Sequence, residues 1–405
     1  MSDAQPASRS ARTLGALLLL QALCWVLAPA LVAYAPPLDI IENSIWGSEG
    51  VLVSYKNPAL TGLLLEGVRQ LTGTIGWPAY ALSQVCIALT LLIVYRLGRD
   101  VMGPERAAIG AMALLACYYF NWRSPEFNHD ILQLPFWALI VLCLWRAVTG
   151  GGLGWWALLG LASAGSLYAK LSAAVLLASC FLWLMLDRKA RASFKTAGPW
   201  VALTVFLVSV VPLASALAHA GILQTIQGYA TARGNSGGYS VPVWIGLQAV
   251  MALPIALIVW ASHVFTTPAT IQRPAESPEA DRAVRQFMFF ALFLTVTPMA
   301  LAASLAISHG TGAKLLWGGP MLNLTGLVLV AALTRAMPNA HLNRAAMLTA
   351  VVIVGTSTAY ALMHAYKPAF GKRPSRLNWP QEEIAQRMRA IWTAEAKVPL
   401  SIVAG

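Results

Sequence analysis

The sequence predicts an all-α polytopic membrane protein with about eleven transmembrane helices. Three observations predict it. The mean hydropathy is +0.64 and 58% of the residues are hydrophobic. Only 11% are charged, less than half of the ~25% usual in soluble domains. Apolar runs close to the ~20 residues that cross a bilayer recur from one end of the chain to the other, without the alternation that a membrane barrel needs. The five cysteines, Cys24, Cys86, Cys117, Cys143 and Cys180, all fall inside those runs with no paired spacing. They read as small buried hydrophobes, and neither a disulfide framework nor a zinc site is indicated.

The first run, Leu14 to Val32, follows Arg9 and Arg12. It is longer than the apolar core of a signal peptide and lacks a clear small-residue cleavage site, so it reads as the first span with its N-terminus inside. The spans expected are 13–34, 78–98, 105–121, 130–148, 153–169, 171–187, 196–218, 242–262, 286–308, 314–335 and 345–365. An odd number puts the two ends on opposite sides. Fifteen Lys and Arg fall in loops placed inside, against six in outer loops ahead of the C-terminal tail, as the positive-inside rule requires. The net charge of +12 therefore reads as membrane topology, and no nucleic-acid partner is expected.

The connectors carry the remaining information. The first outer loop opens with Pro36 and Pro37, which suit the start of an element, so DIIENSIW can be helical. Further on, NPALTGLLLEGVRQLTG has apolar residues at helical spacing, and reads as an amphipathic helix in the membrane interface or as a solvated connector. Residues 219–241 form a longer outer loop rich in Gly, Asn and Ser, and 263–285 a proline-rich inner loop. The tail, 366–405, is soluble in character. NWPQEEIAQRMRAIWTAEA reads as an amphipathic helix and VPLSIVAG as a strand, the start of a small α/β domain that is cut short or reduced.

In so apolar a chain, the acids that stand outside must be explained. They collect in the first outer loop and in the short loop 121–130, both at outer ends of spans, so they can converge on one pocket. Asp39 and Glu42, three apart, would share a helix face. Each can serve as a helix-terminal charge, or as a general base or a metal-orienting carboxylate. Lys56 shares their loop, and Lys314 lies in another outer segment. Together with Lys170 and Arg233 they can neutralise a phosphate as point charges, or remain solvated. His129 and Asp130 stand at the outer edge of a span, where an ionisable residue is either functional or a cap beside Asn128. His309 and the tryptophans Trp46, Trp122 and Trp317 suit the membrane interface. There is no P-loop, Rossmann fingerprint, HExxH or nucleophile elbow. An ATP-driven or nucleotide-sugar enzyme is disfavoured, and a lipid-borne activated donor is left.

PPLDIIENSIW followed by SYKNPALTGLLLE resembles the first outer loop of bacterial C-type (GT-C) membrane glycosyltransferases, the superfamily of protein O-mannosyltransferases, family 39 and the aminoarabinose transferase of lipid A. FNHDILQLPFWAL, GLASAGSLYAKLSAAVLL, GAKLLWGGPML and the tail motifs resemble that superfamily in the same order. The run Lys56-Asn57-Pro58-Ala59 departs from it by lacking a second proline.

The resemblance implies a GT-C-like catalytic module over 1–365 and a periplasmic segment over 366–405, in the bacterial inner membrane with the N-terminus cytoplasmic and the C-terminus periplasmic. It implies an inverting transfer of a hexosyl or pentosyl group from a polyprenyl-phosphate sugar to a lipid, glycan or protein acceptor among the membrane lipids. Asp39 would match the catalytic aspartate, with Glu42 beside it, and Lys56 the lysine on the donor phosphate. Asn57, His129, Asp130, Lys170 and Lys314 are the further substrate-binding candidates. A divalent metal at Asp39 stays open, because Tyr55 stands where the aminoarabinose enzyme has an acid. The competing class is a lipid or solute transporter or flippase. It is disfavoured because mid-span charges and a repeated half are not visible.

Overall fold

The computed structural model describes residues 4–54, 56–219, 221, 238–264, 278–336, 341–366 and 376–396. Those residues form helices and no sheet. The helices are α1 (Ala4–Val32), α2 (Leu38–Ser48), α3 (Leu60–Thr72), α4 (Gly76–Met102), α5 (Pro104–Ala113), α6 (His129–Val148), α7 (Leu153–Ala169), α8 (Ala174–Leu186), α9 (Arg188–Ala192), α10 (Gly198–His219), α11 (Val241–Val264), α12 (Pro278–Ser308), α13 (Gly318–Met321), α14 (Thr325–Ala336), α15 (Leu342–Tyr366) and α16 (Gln381–Glu395).

Every one of the eleven expected apolar segments contains a helix, but they are not equal. Among the described residues, seven helices (α1, α4, α6, α10, α11, α12 and α15) are long and apolar enough to cross a membrane. The number is at most nine, if each of two bent pairs is one span: Leu171–Leu186 with Arg188–Lys195, turned by 84°, and Leu315–Met321 with Thr325–Leu333, turned by 57°. The segments 105–121 and 153–169 form the shorter helices α5 and α7. Neither is isolated in lipid: α5 packs on α1, α4, α14 and α15, and α7 packs on α6 and α10. An element enclosed by others can be short, because it need not match the thickness of the hydrocarbon layer by itself.

Small residues set how closely these helices approach. A side chain on Gly110 or Gly326 would strike the other's backbone, and one on Gly160 would strike the carbonyl of Ala202. Without a solvent to expel, membrane helices gain mainly from such close backbone packing. The same device joins α2 to α3, where Gly47 and Gly62 touch. The first outer loop is therefore a helical hairpin, and its connecting turn is held at a fixed height above the bundle.

The most demanding part of the fold is the stretch between α5 and α6. Helix α5 stops at Ala113, a 3-10 turn covers Leu114–Ala116, and the chain then runs through successive turns to Asn128. It is nearly all buried, with Phe120, Ser124 and Phe127 fully so. Buried irregular backbone must find partners inside the protein. Gln21 from α1 donates to the Phe120 carbonyl at 2.9 Å. Ser83 from α4 donates to the Ser124 carbonyl at 2.5 Å, and Gln84 to the Ser124 hydroxyl at 3.1 Å. Asn121 donates to the Leu115 carbonyl at 2.6 Å and accepts from the Thr356 hydroxyl of α15, also at 2.6 Å. Polar side chains in the middle of three apolar helices thus have a structural purpose.

In the tail, Leu377 accepts from the backbone of Tyr34 and Ala35 at 2.8 and 3.2 Å, which returns the chain to the end of α1. The expected tail helix is present as α16, with Pro380 just ahead of its first turn and no buried residue. The expected strand, 398–405, lies outside the described residues, as do Arg233 and most of the two long loops.

Replacing Gln21 by Leu should leave the Phe120 carbonyl buried without a donor. An unsatisfied buried acceptor costs about 1–3 kcal/mol, whereas intramembrane hydrogen bonds average nearer ~0.6 kcal/mol. The larger figure is expected here, because no water reaches the site, and thermal unfolding in detergent should show it. Leu19→Ala, at a position 62% exposed on the same helix, should change the midpoint by much less.

Candidate active site

Asp39 and Glu42 lie on α2, which Pro37 opens with an extended backbone. Both are partly buried and both find partners on other elements, so the shared face expected from their spacing is realised. Glu42 Oε2 accepts from Lys56 Nζ at 2.6 Å. Asp39 Oδ2 accepts from Asn128 Nδ2 at 3.1 Å.

Lys56 stands on the turn between α2 and α3. Ser54 closes that turn: its backbone N–H and its hydroxyl both donate to the Asn57 carbonyl, at 2.9 and 2.8 Å. Its hydroxyl oxygen accepts from the backbone of Lys56 and Asn57, at 3.2 and 3.0 Å. Asn57 therefore acts on the site through its backbone, which shapes the lysine's turn. His129 is buried under that turn, hydrogen-bonded to the Pro58 backbone and 6.1 Å from the ring of Trp46. Its role in the structure is to seat the Lys56 turn on α6.

The N-terminus of α6 is the junction. Asn128 Oδ1 accepts from the backbone of Asp130 and Ile131 at 3.0 and 3.1 Å, capping the helix, while its Nδ2 holds Asp39. Asp130, in the first turn of α6, pairs with Lys170 at 2.7 Å, and both side chains are largely buried. Lys170 follows the last residue of α7. Arg123 pairs with Glu126 through two bonds of 2.6 and 2.5 Å. Burial pushes the Glu126 carboxyl up to about 7, with the nearby Asp39 adding to the push and Arg123 opposing it. That proximity joins Arg123 and Glu126 to the Asp39 cluster.

Two cavities meet at Asp130. A small one has Arg123, Asn128 and Asp130 on one side and Ile131, Leu134 and Leu316 on the other, with Tyr119 in its wall. A larger apolar groove of 190 Å³ runs from Asp130 past Trp137, Val175, Leu305 and Met321, between α6, α8, α12 and α13. Tyr119 holds the far wall, its hydroxyl 2.7 Å from the Leu315 carbonyl and 2.8 Å from Gln248 of α11. Trp244 donates to the Lys314 carbonyl at 3.0 Å, and Ala313 pairs with Tyr239 through two backbone bonds. The Lys314 side chain itself is exposed, two residues before the cavity-lining Leu316.

The structure thus brings together Asp39, Glu42, Lys56, Asp130 and Lys170, and sets His129 and Asn57 behind them. The sequence reading passed over Arg123 and Tyr119, and gave Glu126 and Asn128 no role of their own beyond the acid count and a cap. Arg123, Glu126 and Asn128 share one signal, the short polar loop NWRSPEFNHD inside an otherwise apolar chain, whereas Tyr119 lies in the apolar run before it. Among the described residues no three His, Cys, Asp or Glu side chains stand together as a metal set.

The sequence profile of the dolichyl-phosphate-mannose-protein mannosyltransferase family matches residues 56–215, which begin at Lys56 and include Asp130 and Lys170. Comparison with curated proteins gives no match. Among solved structures, ArnT from Cupriavidus metallidurans bound to undecaprenyl phosphate is similar with a TM-score of 0.62 at 14% identity, over 95% of this chain and 69% of that one. The same protein in its apo state gives 0.58 at 15% identity, over 94% and 68%. An oligosaccharyltransferase from Archaeoglobus fulgidus gives 0.39 at 15% identity, over 95% and 51%. The chain therefore has the transmembrane GT-C glycosyltransferase fold, and carries the mannosyltransferase family's pattern on the stretch that builds its ionic cluster.

Proposed function

We propose that this protein is a membrane glycosyltransferase that moves a hexosyl or pentosyl group from a polyprenyl-phosphate donor to a lipid, glycan or protein acceptor. The periplasmic face of the bacterial inner membrane is its place of action, with the N-terminus cytoplasmic and the C-terminus periplasmic. One observation carries the reading. Asp130 is shared by a small cavity that Arg123 and Asn128 also line and by an apolar groove, with Lys170 paired to it and Lys56 and Asp39 on the neighbouring turn and helix. A polyprenyl phosphate has that same division, an anionic head on an apolar tail. The undecaprenyl phosphate bound in ArnT supports the donor class.

In this reading the tail lies in the groove and the phosphate meets Lys56 and Lys170, each drawn from its carboxylate partner. Lys314 adds a third cation from the facing segment. Asp39 takes the proton of the acceptor hydroxyl through Oδ1, since Asn128 holds Oδ2. The acceptor oxygen bonds to the anomeric carbon as the bond from that carbon to the phosphate oxygen breaks. The phosphate leaves with the electron pair, and attack from the opposite side inverts the centre. Charge on the leaving phosphate grows in the transition state, so the lysines act most strongly there. Glu42 keeps Lys56 aimed at that point.

Asp39→Asn should lower transfer by about 10²–10⁴-fold, the usual contribution of a positioned base, while the protein remains folded. Transfer of radiolabelled sugar from polyprenyl-phosphate donors to candidate acceptors measures this, and full activity in the variant would remove Asp39 from the mechanism. Lys56→Gln should both raise the donor KM and lower kcat, because it meets the phosphate before and during transfer.

Glu126 adds a pH dependence. Its carboxyl holds a proton in the fold up to about pH 7, whereas in the unfolded chain it ionises near ~4.3. The folded state binds the extra proton between these values, so stability falls as pH rises through that window. Glu126→Gln removes the titration. Its unfolding midpoint should change less between pH 5 and pH 8 than that of the unmodified protein, in a thermal scan in detergent.

A further inference from the structure

At the opposite end of the bundle from the ionic cluster, α6, α7, α8 and α10 leave a second cavity between them. It measures 340 Å³, near the lower end of the ~300–1,000 Å³ of sites that take a small organic ligand. Leu144, Leu159, Leu177, Leu184 and Leu203 line it, and Ser163 is the one hydroxyl in its wall. An apolar void of this size forfeits the dispersion contacts of every side chain around it, so an apolar occupant is favoured. Its neighbour at Asp130 touches other stretches of α6 and α8 and opens toward the ionic cluster.

The rim says what the occupant's head must be. Helix α8 ends at Leu186, and the chain turns by 84° into the segment Arg188–Lys195. That angle lays the segment along the membrane surface if α8 runs across it. It carries Arg188, Lys189, Arg191 and Lys195, all exposed. The one acid there, Asp187, accepts from the Ala190 backbone at 2.8 Å and so caps α9. Phe194 from this segment and Trp200 from the start of α10 pack edge to face at 6.3 Å, and both line the cavity. The basic segment and the apolar cavity are thus one continuous feature.

We propose that this cavity binds an anionic phospholipid of the cytoplasmic leaflet, with an acyl chain between α6, α7, α8 and α10 and the phosphate against Arg188, Lys189, Arg191 and Lys195. A zwitterionic headgroup offers these four cations no net charge, whereas an anionic one is attracted by each of them. The site is independent of the transfer reading, since none of its residues belongs to the Asp39 cluster.

The test uses the full chain in nanodiscs containing equal amounts of phosphatidylglycerol and phosphatidylcholine, with native mass spectrometry of the lipid retained on release. The unmodified protein should keep phosphatidylglycerol over phosphatidylcholine by about tenfold or more. The double variant R191Q/K195Q, altered only at exposed positions, should lose most of that preference. Leu177→Trp, which fills the cavity, should lose the retained lipid with the cations intact. Equal retention of the two lipids by the unmodified protein would overturn the proposal, and so would an unchanged preference in R191Q/K195Q. Displacement of the retained lipid by added undecaprenyl phosphate would also overturn it, by assigning the cavity to a polyprenyl chain.

Discussion

The structure depends on one constraint, that the irregular chain from Cys117 to Asn128 is buried among membrane helices and must have its polar backbone satisfied there. A continuous helix would satisfy itself, but it would put Asn128 on the side away from Arg123 and Glu126. The turns gather them instead on one side, next to the N-terminus of α6. Gln21, Ser83, Gln84 and Thr356 meet the cost by donating into the segment. Three long helices, α1, α4 and α15, are therefore fixed in rotation about their own axes by polar contacts to a piece of chain that is not a helix. Apolar packing alone would leave those rotations loosely determined, since lipid is as good a neighbour for a leucine as another leucine is.

On that scaffold the charged residues come in pairs: Lys56 with Glu42, Lys170 with Asp130, Arg123 with Glu126. The pairs do little for stability. In a largely buried ion pair the attraction is offset by the cost of taking both charges out of water. Their value is that the lysines are poised and exchangeable. A phosphate brings more charge than a carboxylate and can draw a lysine off its partner, and the released carboxylate still faces the cavity. Asp39 is held differently, by the neutral amide of Asn128. It has no cation of its own to surrender, which suits a group that must gain a proton while the lysines deal with the anion.

Much of this was legible in the sequence, and for definite reasons. The apolar runs located the helices because hydrocarbon permits few alternatives. Asp39, Glu42, Lys56, Asp130 and Lys170 were visible because charge is scarce in such a chain and these residues sit where runs begin or end. The number of full spans was less legible: run length cannot distinguish a helix that crosses lipid alone from one enclosed by neighbours, as with α5 and α7. The irregular stretch after Ala113 was invisible for a related reason. LLACYYFNW continues the apolar composition of α5, and its departure from helix is dictated by side chains up to 235 residues away in sequence, such as Thr356. Arg123 and Glu126 were passed over because in sequence they look like a local pair on a solvated loop.

The two ends of the bundle differ in a way that bears on how an amphiphile would use it. At the Asp130 end the cations are largely buried and each has an acid within reach, so an anion there enters a preformed network of fixed geometry. At the Arg188–Lys195 end four cations are exposed around an apolar cavity, and the acid among them is committed to a helix cap. The first arrangement selects by shape and hydrogen bonding, and favours one headgroup in one orientation. The second attracts any anionic headgroup, with long side chains that adapt to it. Helices α6 and α8 line cavities at both ends, so a change in how far apart they stand would alter both volumes together. Polar contacts hold α6 at both ends, through Asn128, His129 and Asp130 at its start and through Arg146, paired with Asp100 of α4, in its last turn, so its neighbours α7 and α8 have the more freedom to change the spacing.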